Sequence, residues 1–256
     1  MRSISLFLAG LMASIAFAAP APGIFNNAYK RSNRMEEYYS RVSKHIHDSK
    51  RTGSASSTCD TSSISLPAYA SSLPSPSGQT LAYVTVGVGT QNYTCANSSA
   101  SATPEAIGAL AGLFNATCIA ADYPEIIDLL PNIVYDMDVS ANATSLSMLP
   151  PANLLLLGYQ YFSDLTTPVF DLDTEDQNDG IAYTKKNDTL DAPSDAIQGA
   201  YGAVQWLYLT TTNETVGKYS SIYRVMTAGG DAPTTCEGMP DSFTVPYAAN
   251  YYIYET

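Results

Sequence analysis

Apolar and polar residues alternate with a period of two along three runs near the carboxyl end: Ala203–Thr211, Ser221–Thr227 and Phe243–Tyr247, the last resuming at Tyr251–Tyr254. Aromatic and β-branched side chains dominate these runs, as they do in half-buried strands. Trp206, the only tryptophan, lies in the first run and makes that sheet face a candidate for the core. The same pattern predicts a strand over Thr80–Gly87 that continues past a glycine pair into Thr90–Cys95, and further strands over Leu157–Phe162 and from Val169 to Leu172.

Helical spacing is rarer. Met35, Tyr38, Tyr39, Val42 and Ile46 recur along one helix face behind a capping-box pattern at Asn33–Glu36, which predicts a short amphipathic helix. Tyr123–Leu130 carries Pro124 in its first turn and is expected to end at Pro131. Ser145–Leu156 is apolar but broken by Pro150 and Pro151, so it reads as a short helix or a packed loop. Ser, Thr, Pro and Gly dominate Thr52–Gln79, an extended lead-in with little regular structure. The fold class is therefore mainly β: a single antiparallel β-sandwich or barrel-like domain over residues 80–256 with a short helical insertion.

With 45% hydrophobic residues, the 256-residue chain can bury a full core. Its amino terminus reads as export machinery. A basic start at Arg2 precedes the mostly apolar run Ile4–Phe17, which closes on the small-x-small pattern Ala16-Phe17-Ala18, so residues 1–18 are expected to be a signal peptide and the protein to be secreted. The run is too short to cross about 30 Å of hydrocarbon, which argues against a transmembrane anchor. Residues 19–51 contain the dibasic pairs Lys30-Arg31 and Lys50-Arg51, and read either as a removable basic prosegment or as a linker.

Charge sharpens this division. From Thr52 onward only Lys185, Lys186, Lys218 and Arg224 are basic against 21 acidic residues, so that portion carries 4 − 21 = −17. Binding to phosphate backbones needs clustered Lys and Arg, so nucleic acid is not an expected partner. Both histidines, His45 and His47, fall in the basic segment. A chain trimmed at Arg51 holds none, which removes Ser-His-Asp, Cys-His and His-ligated zinc chemistry. At i and i+2 on a helix the two rings point apart, and both are expected to be exposed.

Four cysteines, Cys59, Cys95, Cys118 and Cys236, imply two disulfides in an exported chain, with three possible pairings. Six sequons, at Asn92, Asn97, Asn115, Asn142, Asn187 and Asn213, mark candidate glycosylation sites. Gly87-Val88-Gly89 after a strand invites a dinucleotide fingerprint, but Asn92 stands where the next glycine is required and no helix follows. A bulge or close backbone approach is the better reading. The densest carboxylate cluster, Asp171, Asp173, Glu175, Asp176 and Asp179, begins like a calcium loop, yet Asp176 replaces the turn glycine and Ala182 the closing glutamate. It reads as an acidic hairpin turn ending in Asn178-Asp179-Gly180, with Asp171, Asp173, Glu175 and Asp179 as weak acidic-site candidates.

The segments Gly87–Cys95, Ala203–Leu207, Tyr223–Gly230, Pro233–Cys236 and Val245–Tyr254, in that order, resemble a secreted domain family of unknown function from fungi and bacteria. The resemblance implies an all-β domain with a cysteine in each end motif, which favours pairing Cys95 with Cys236 and leaves Cys59 with Cys118. It also implies that many members hold a His where this chain has Gln160, so no His-dependent role carries over. Fungal members often bear the label malate dehydrogenase, which the failed nucleotide fingerprint and the lack of a domain histidine argue against. No catalytic, cofactor-binding or metal residue is implied.

The function expected from these observations is that of a disulfide-bonded extracellular glycoprotein, a non-catalytic binding module whose many tyrosines suit a cell-wall or matrix polysaccharide. The alternative is a carboxylate-dependent extracellular hydrolase. No cofactor is expected in either case.

Overall fold

Among the described residues the chain forms nine strands: β1 (Thr80–Thr94), β2 (Glu105–Asn115), β3 (Met148–Leu149), β4 (Leu154–Phe162), β5 (Pro168–Asp173), β6 (Asn178–Leu190), β7 (Trp206–Thr211), β8 (Tyr219–Gly229) and β9 (Ser242–Glu255). The computed structural model describes residues 22–52, 59–175 and 177–256. The expected signal peptide at 1–18 and the candidate Asp176 lie outside the described residues.

The sheet runs β2-β1-β9-β8-β7-β6-β5-β4-β3, and β2 also pairs with β4, which closes eight antiparallel strands into a barrel. Closure leaves the eight barrel strands without a free edge. Successive residues of each strand then face opposite ways. One set, including Leu113, Phe170, Leu172, Ile222, Tyr251 and Ile253, fills the barrel interior. The other, including Val84, Val86, Trp206, Tyr223, Val225 and Tyr252, forms a second core under an outer layer of helices. Burying each such side chain contributes about 1.5–3 kcal/mol relative to exposure.

Gly87 and Gly89 lie inside β1, where backbone and rings crowd the wall. A Cβ at Gly87 would meet the Tyr251 ring at 2.4 Å, and one at Gly89 would fall 1.9 Å from the Leu110 carbonyl oxygen. Close approach, not nucleotide binding, is what these glycines permit.

The helical layer comprises α1 (Pro22–Thr52), α2 (Thr117–Asp122), α3 (Pro124–Ile127) and α4 (Leu130–Asp136). Two expectations are corrected here. The short helix expected around residues 33–46 is a helix of 31 residues. It docks through buried Tyr38 and partly buried Met35 and Val42, while Arg34 Nε bonds Asp136 at 2.7 Å. Pro131 does not end the insertion: it sits in the first turn of α4, where its missing N–H is not needed. Cys118 lies on α2, just after the strand that holds Phe114.

The lead-in is mostly irregular, as expected, with 3-10 turns at Thr61–Ser63 and Ala68–Ser72. It is nonetheless packed. Ala70 and Leu73 are buried, Tyr69 sits edge-on to Trp206 with ring centroids 5.3 Å apart, and the Tyr223 hydroxyl donates to the Pro74 carbonyl at 2.7 Å. The disulfides are Cys59–Cys118 and Cys95–Cys236, the pairing that the family resemblance implied.

Candidate functional site

An eight-stranded barrel is just wide enough to be filled by side chains or to hold one small ligand. Here both occur, at opposite ends. Large side chains fill the end where β1 begins and β9 finishes. At the other end the interior opens into a cavity of about 1130 Å³.

Several elements build its wall. Gln91 and Tyr93 come from the last turns of the β1 pleat, Phe162 from the end of β4, Thr184 from β6, and Leu207 and Leu209 from β7. The β4–β5 loop adds Leu165, the start of β5 adds Pro168, and the long connection from β6 to β7 adds Asp191, Val204 and Gln205. Arg224 enters from β8, two residues after inward-facing Ile222 and therefore on the same face.

Below the cavity a polar layer interrupts the apolar interior. The Tyr247 hydroxyl donates to Gln160 Oε1 at 3.1 Å and lies 3.0 Å from the Tyr251 hydroxyl. Complete burial pushes Tyr247 well above the ordinary tyrosine range, and its contact with Tyr251 adds to this. Tyr251 is raised by burial as well, against the pull of the Arg224 charge. Tyr93 is pushed up to about 12, first by burial and then by the charge of Asp231, with Arg224 opposing. All three hydroxyls are therefore neutral, able to donate and accept, at any physiological pH.

Arg224 is held by its backbone neighbour across the strand end. Its Nε and Nη2 donate to the Gln205 carbonyl at 3.2 and 2.9 Å, and among the described residues it forms no ion pair with a carboxylate. Two further groups of the wall are unsatisfied. Gln91 Nε2 and Thr212 Oγ1 are buried and have no hydrogen-bond partner among the described residues. Orphaned buried polar atoms in a native fold call for an explanation.

The acidic candidates do not share this site. Asp171 and Asp173 alternate with inward Phe170 and Leu172, so both point out of the barrel. Each already has a structural bond: Asp171 Oδ1 accepts from the Asp173 amide at 3.2 Å, Asp173 Oδ1 from the Gly180 amide at 2.6 Å, and Asp179 Oδ2 from the Tyr83 hydroxyl at 2.7 Å. Glu175 is exposed at the turn. That turn is Thr174–Gln177, closed by the Thr174 amide on the Gln177 carbonyl at 2.8 Å, and not Asn178–Gly180, which already belongs to β6. Gly180 serves close approach instead, since a Cβ there would lie 2.3 Å from the Val216 carbonyl oxygen. Among the described residues no group of three His, Cys, Asp or Glu side chains is placed to hold a metal ion.

His45 also departs from expectation. Its ring lies 4.5 Å from that of Tyr123, and its Nε2 bonds Glu125, so it is partly buried against α3 while His47 stays exposed. Helix docking, which the sequence spacing of two histidines does not encode, decides this. Of the sequons, Asn97, Asn142, Asn187 and Asn213 are exposed and Asn92 and Asn115 half-buried. Asn115 is further engaged, with its Oδ1 accepting from the Thr117 amide at 3.0 Å.

Sequence reasoning did not select Arg224, Gln91, Gln160 or Phe162 as a site. The signal was present in the charges: of the four basic residues after Thr52, Lys185, Lys186 and Arg224 line this one cavity.

No curated protein and no solved structure matches this chain. Residues 10–74, which include α1 and most of the lead-in, match a family described as protein of unknown function (DUF2990). Residues 76–255, the whole barrel with its helical insertion, match the family described as protein of unknown function (DUF3455), and the chain belongs to that family.

Proposed function

We propose that the protein is an extracellular, non-catalytic binding module that takes a small organic ligand into the open end of its barrel. The observation that carries this reading is the cavity of about 1130 Å³ whose wall holds the unsatisfied Gln91 Nε2 and Thr212 Oγ1. Ligand sites are concave, largely apolar and furnished with a few convergent polar groups, and the mouths of β-barrels are a usual place for them. A polysaccharide partner finds less support. The exposed tyrosines Tyr39, Tyr69 and Tyr201 belong to three separate elements: α1, the lead-in and the β6–β7 connection. The hydrolase alternative is weakened by the outward acidic cluster.

The test is a thermal-shift screen of the intact protein against small organic acids, alcohols and oligosaccharides, repeated with Ala106→Trp. Ala106 lines the cavity and is exposed, so the indole would fill the mouth without a change to the core. Ligands that raise the melting temperature of the wild type but not of the variant are expected. Equal shifts in both would move the binding site elsewhere.

The extracellular part of the reading draws on the two disulfides, which suit an oxidising compartment, and on the four exposed sequons. Residues 19–51 act in it as a removable basic prosegment that shields the acidic barrel during folding, supported by the contacts of Arg31 and Arg34 with Asp136. Mass spectrometry of the secreted protein is expected to find a start at or near Thr52 and glycans on Asn97, Asn142, Asn187 and Asn213. A mature start at Ala19 would make the segment a linker.

A further inference from the structure

The choice of ligand follows from where this acidic domain keeps its cations. A portion carrying −17 repels small anions at a distance, so a basic residue inside a cavity has to earn a local explanation. Lys185, Lys186 and Arg224 line the cavity, against the two carboxylates Asp191 and Asp231. Those carboxylates have bonds of their own. Asp191 Oδ1 accepts from Gln205 Nε2 at 2.8 Å, and Asp231 Oδ1 from the Ala232 amide at 2.9 Å. The wall thus carries 3 − 2 = +1 within a strongly negative domain.

We infer that the ligand is a small organic acid, its apolar body seated against Phe162, Leu207 and Leu209 and its carboxylate on Arg224. The inference rests on the cavity being the binding site. Arg224 suits the role in three respects. Two of its N–H groups are fixed on the Gln205 carbonyl, which orients the planar fork. It forms no ion pair with a carboxylate among the described residues. Guanidinium also recognises carboxylate through paired hydrogen bonds in a way that a lysine cannot. Gln91, nine-tenths buried with Nε2 unpartnered, supplies a second donor on the same wall. The apolar wall excludes an inorganic anion as the natural occupant, because phosphate or sulfate would leave Phe162, Leu207 and Leu209 facing water.

The test compares decanoate, decan-1-ol and inorganic phosphate by isothermal titration calorimetry on the full chain. Decanoate is expected to bind at least tenfold more tightly than decan-1-ol, and phosphate weakly. Arg224→Gln should remove most of that preference while leaving decan-1-ol unchanged, and Lys218→Gln, whose residue does not line the cavity, should leave all three unchanged. If Arg224→Gln fails to fold, the exposed Lys186→Gln keeps the question open to measurement, with a severalfold loss for decanoate alone expected. Equal binding of acid and alcohol to the wild type would overturn the carboxylate inference and leave the cavity as a site for neutral ligands. Phosphate binding as tightly as decanoate would overturn the apolar body. Absence of binding by all three would overturn both this inference and the reading beneath it.

Discussion

The Tyr247 hydroxyl donates to Gln160 Oε1 at 3.1 Å, joining two residues 87 positions apart in the chain. Strands β1 and β2 stand between theirs in the sheet order, so the bond spans the lumen beneath the cavity. Tyr247→Phe leaves the amide oxygen of Gln160 buried without this donor, which costs about 1–3 kcal/mol. Urea unfolding should show that loss, and adding Gln160→Leu to the same protein should recover part of it. A Tyr247→Phe variant as stable as the wild type would mean that the layer is satisfied by other groups.

The two wall glycines differ in what they touch. At Gly89 an added Cβ meets the Leu110 carbonyl oxygen at 1.9 Å, which is backbone and cannot turn aside; at Gly87 it meets the end of the Tyr251 ring at 2.4 Å. Overpacking of this kind costs about 1–3 kcal/mol or more. Gly89→Ala is expected to prevent or severely weaken folding. Gly87→Ala should lose less, and Tyr251→Leu in the same chain should relieve it, as read by melting temperature.

Cys95–Cys236 joins positions 141 residues apart, from the end of β1 to the approach to β9, and both cysteines are buried. Cys59–Cys118 closes 59 residues and ties the lead-in to α2. Chain-entropy arguments assign about 5 kcal/mol to the longer loop and about 4 kcal/mol to the shorter. Removing the first pair also empties core volume, so Cys95→Ala with Cys236→Ala should destabilise the barrel by more than Cys59→Ala with Cys118→Ala. The second pair of substitutions should mainly increase hydrogen exchange before Ile64, because Leu66, Ala70 and Leu73 hold the rest of the lead-in by packing. Equal loss of stability in the two proteins would refute this division of labour.

Alkali should unfold the barrel through its tyrosines. Tyr83, Tyr93 and Tyr254 are all pushed up to about 12, with burial the first cause in each and the Asp179 hydrogen bond adding at Tyr83. In the unfolded chain a tyrosine ionises near pH 10. Because folding favours the neutral phenol, the stability they contribute is complete below about pH 10 and is lost as pH rises towards 12. Phenolate absorbance and loss of near-ultraviolet dichroism should therefore rise together in that window. Titration of most tyrosines near pH 10 without unfolding would contradict their burial.

Much of the fold was legible in the chain because strand burial is local. Alternation along Ser221–Thr227 and Phe243–Tyr254 already assigns β8 and β9, and four cysteines with a family resemblance already lead to the observed pairing. The helical layer was less legible. The length of α1, the position of Pro131 and the docking of His45 depend on which surface the helix covers, and helical periodicity reports only that a face is apolar. The carboxylate cluster misled for a related reason. Density along the chain is not convergence in space, and the pleat of β5 points Asp171 and Asp173 away from the lumen. The candidate site belongs to the tertiary structure alone. Gln91, Gln160, Phe162, Leu209 and Arg224 come from four strands, and only barrel closure, set by the long-range pairing of β2 with β4, places their inward faces around one space.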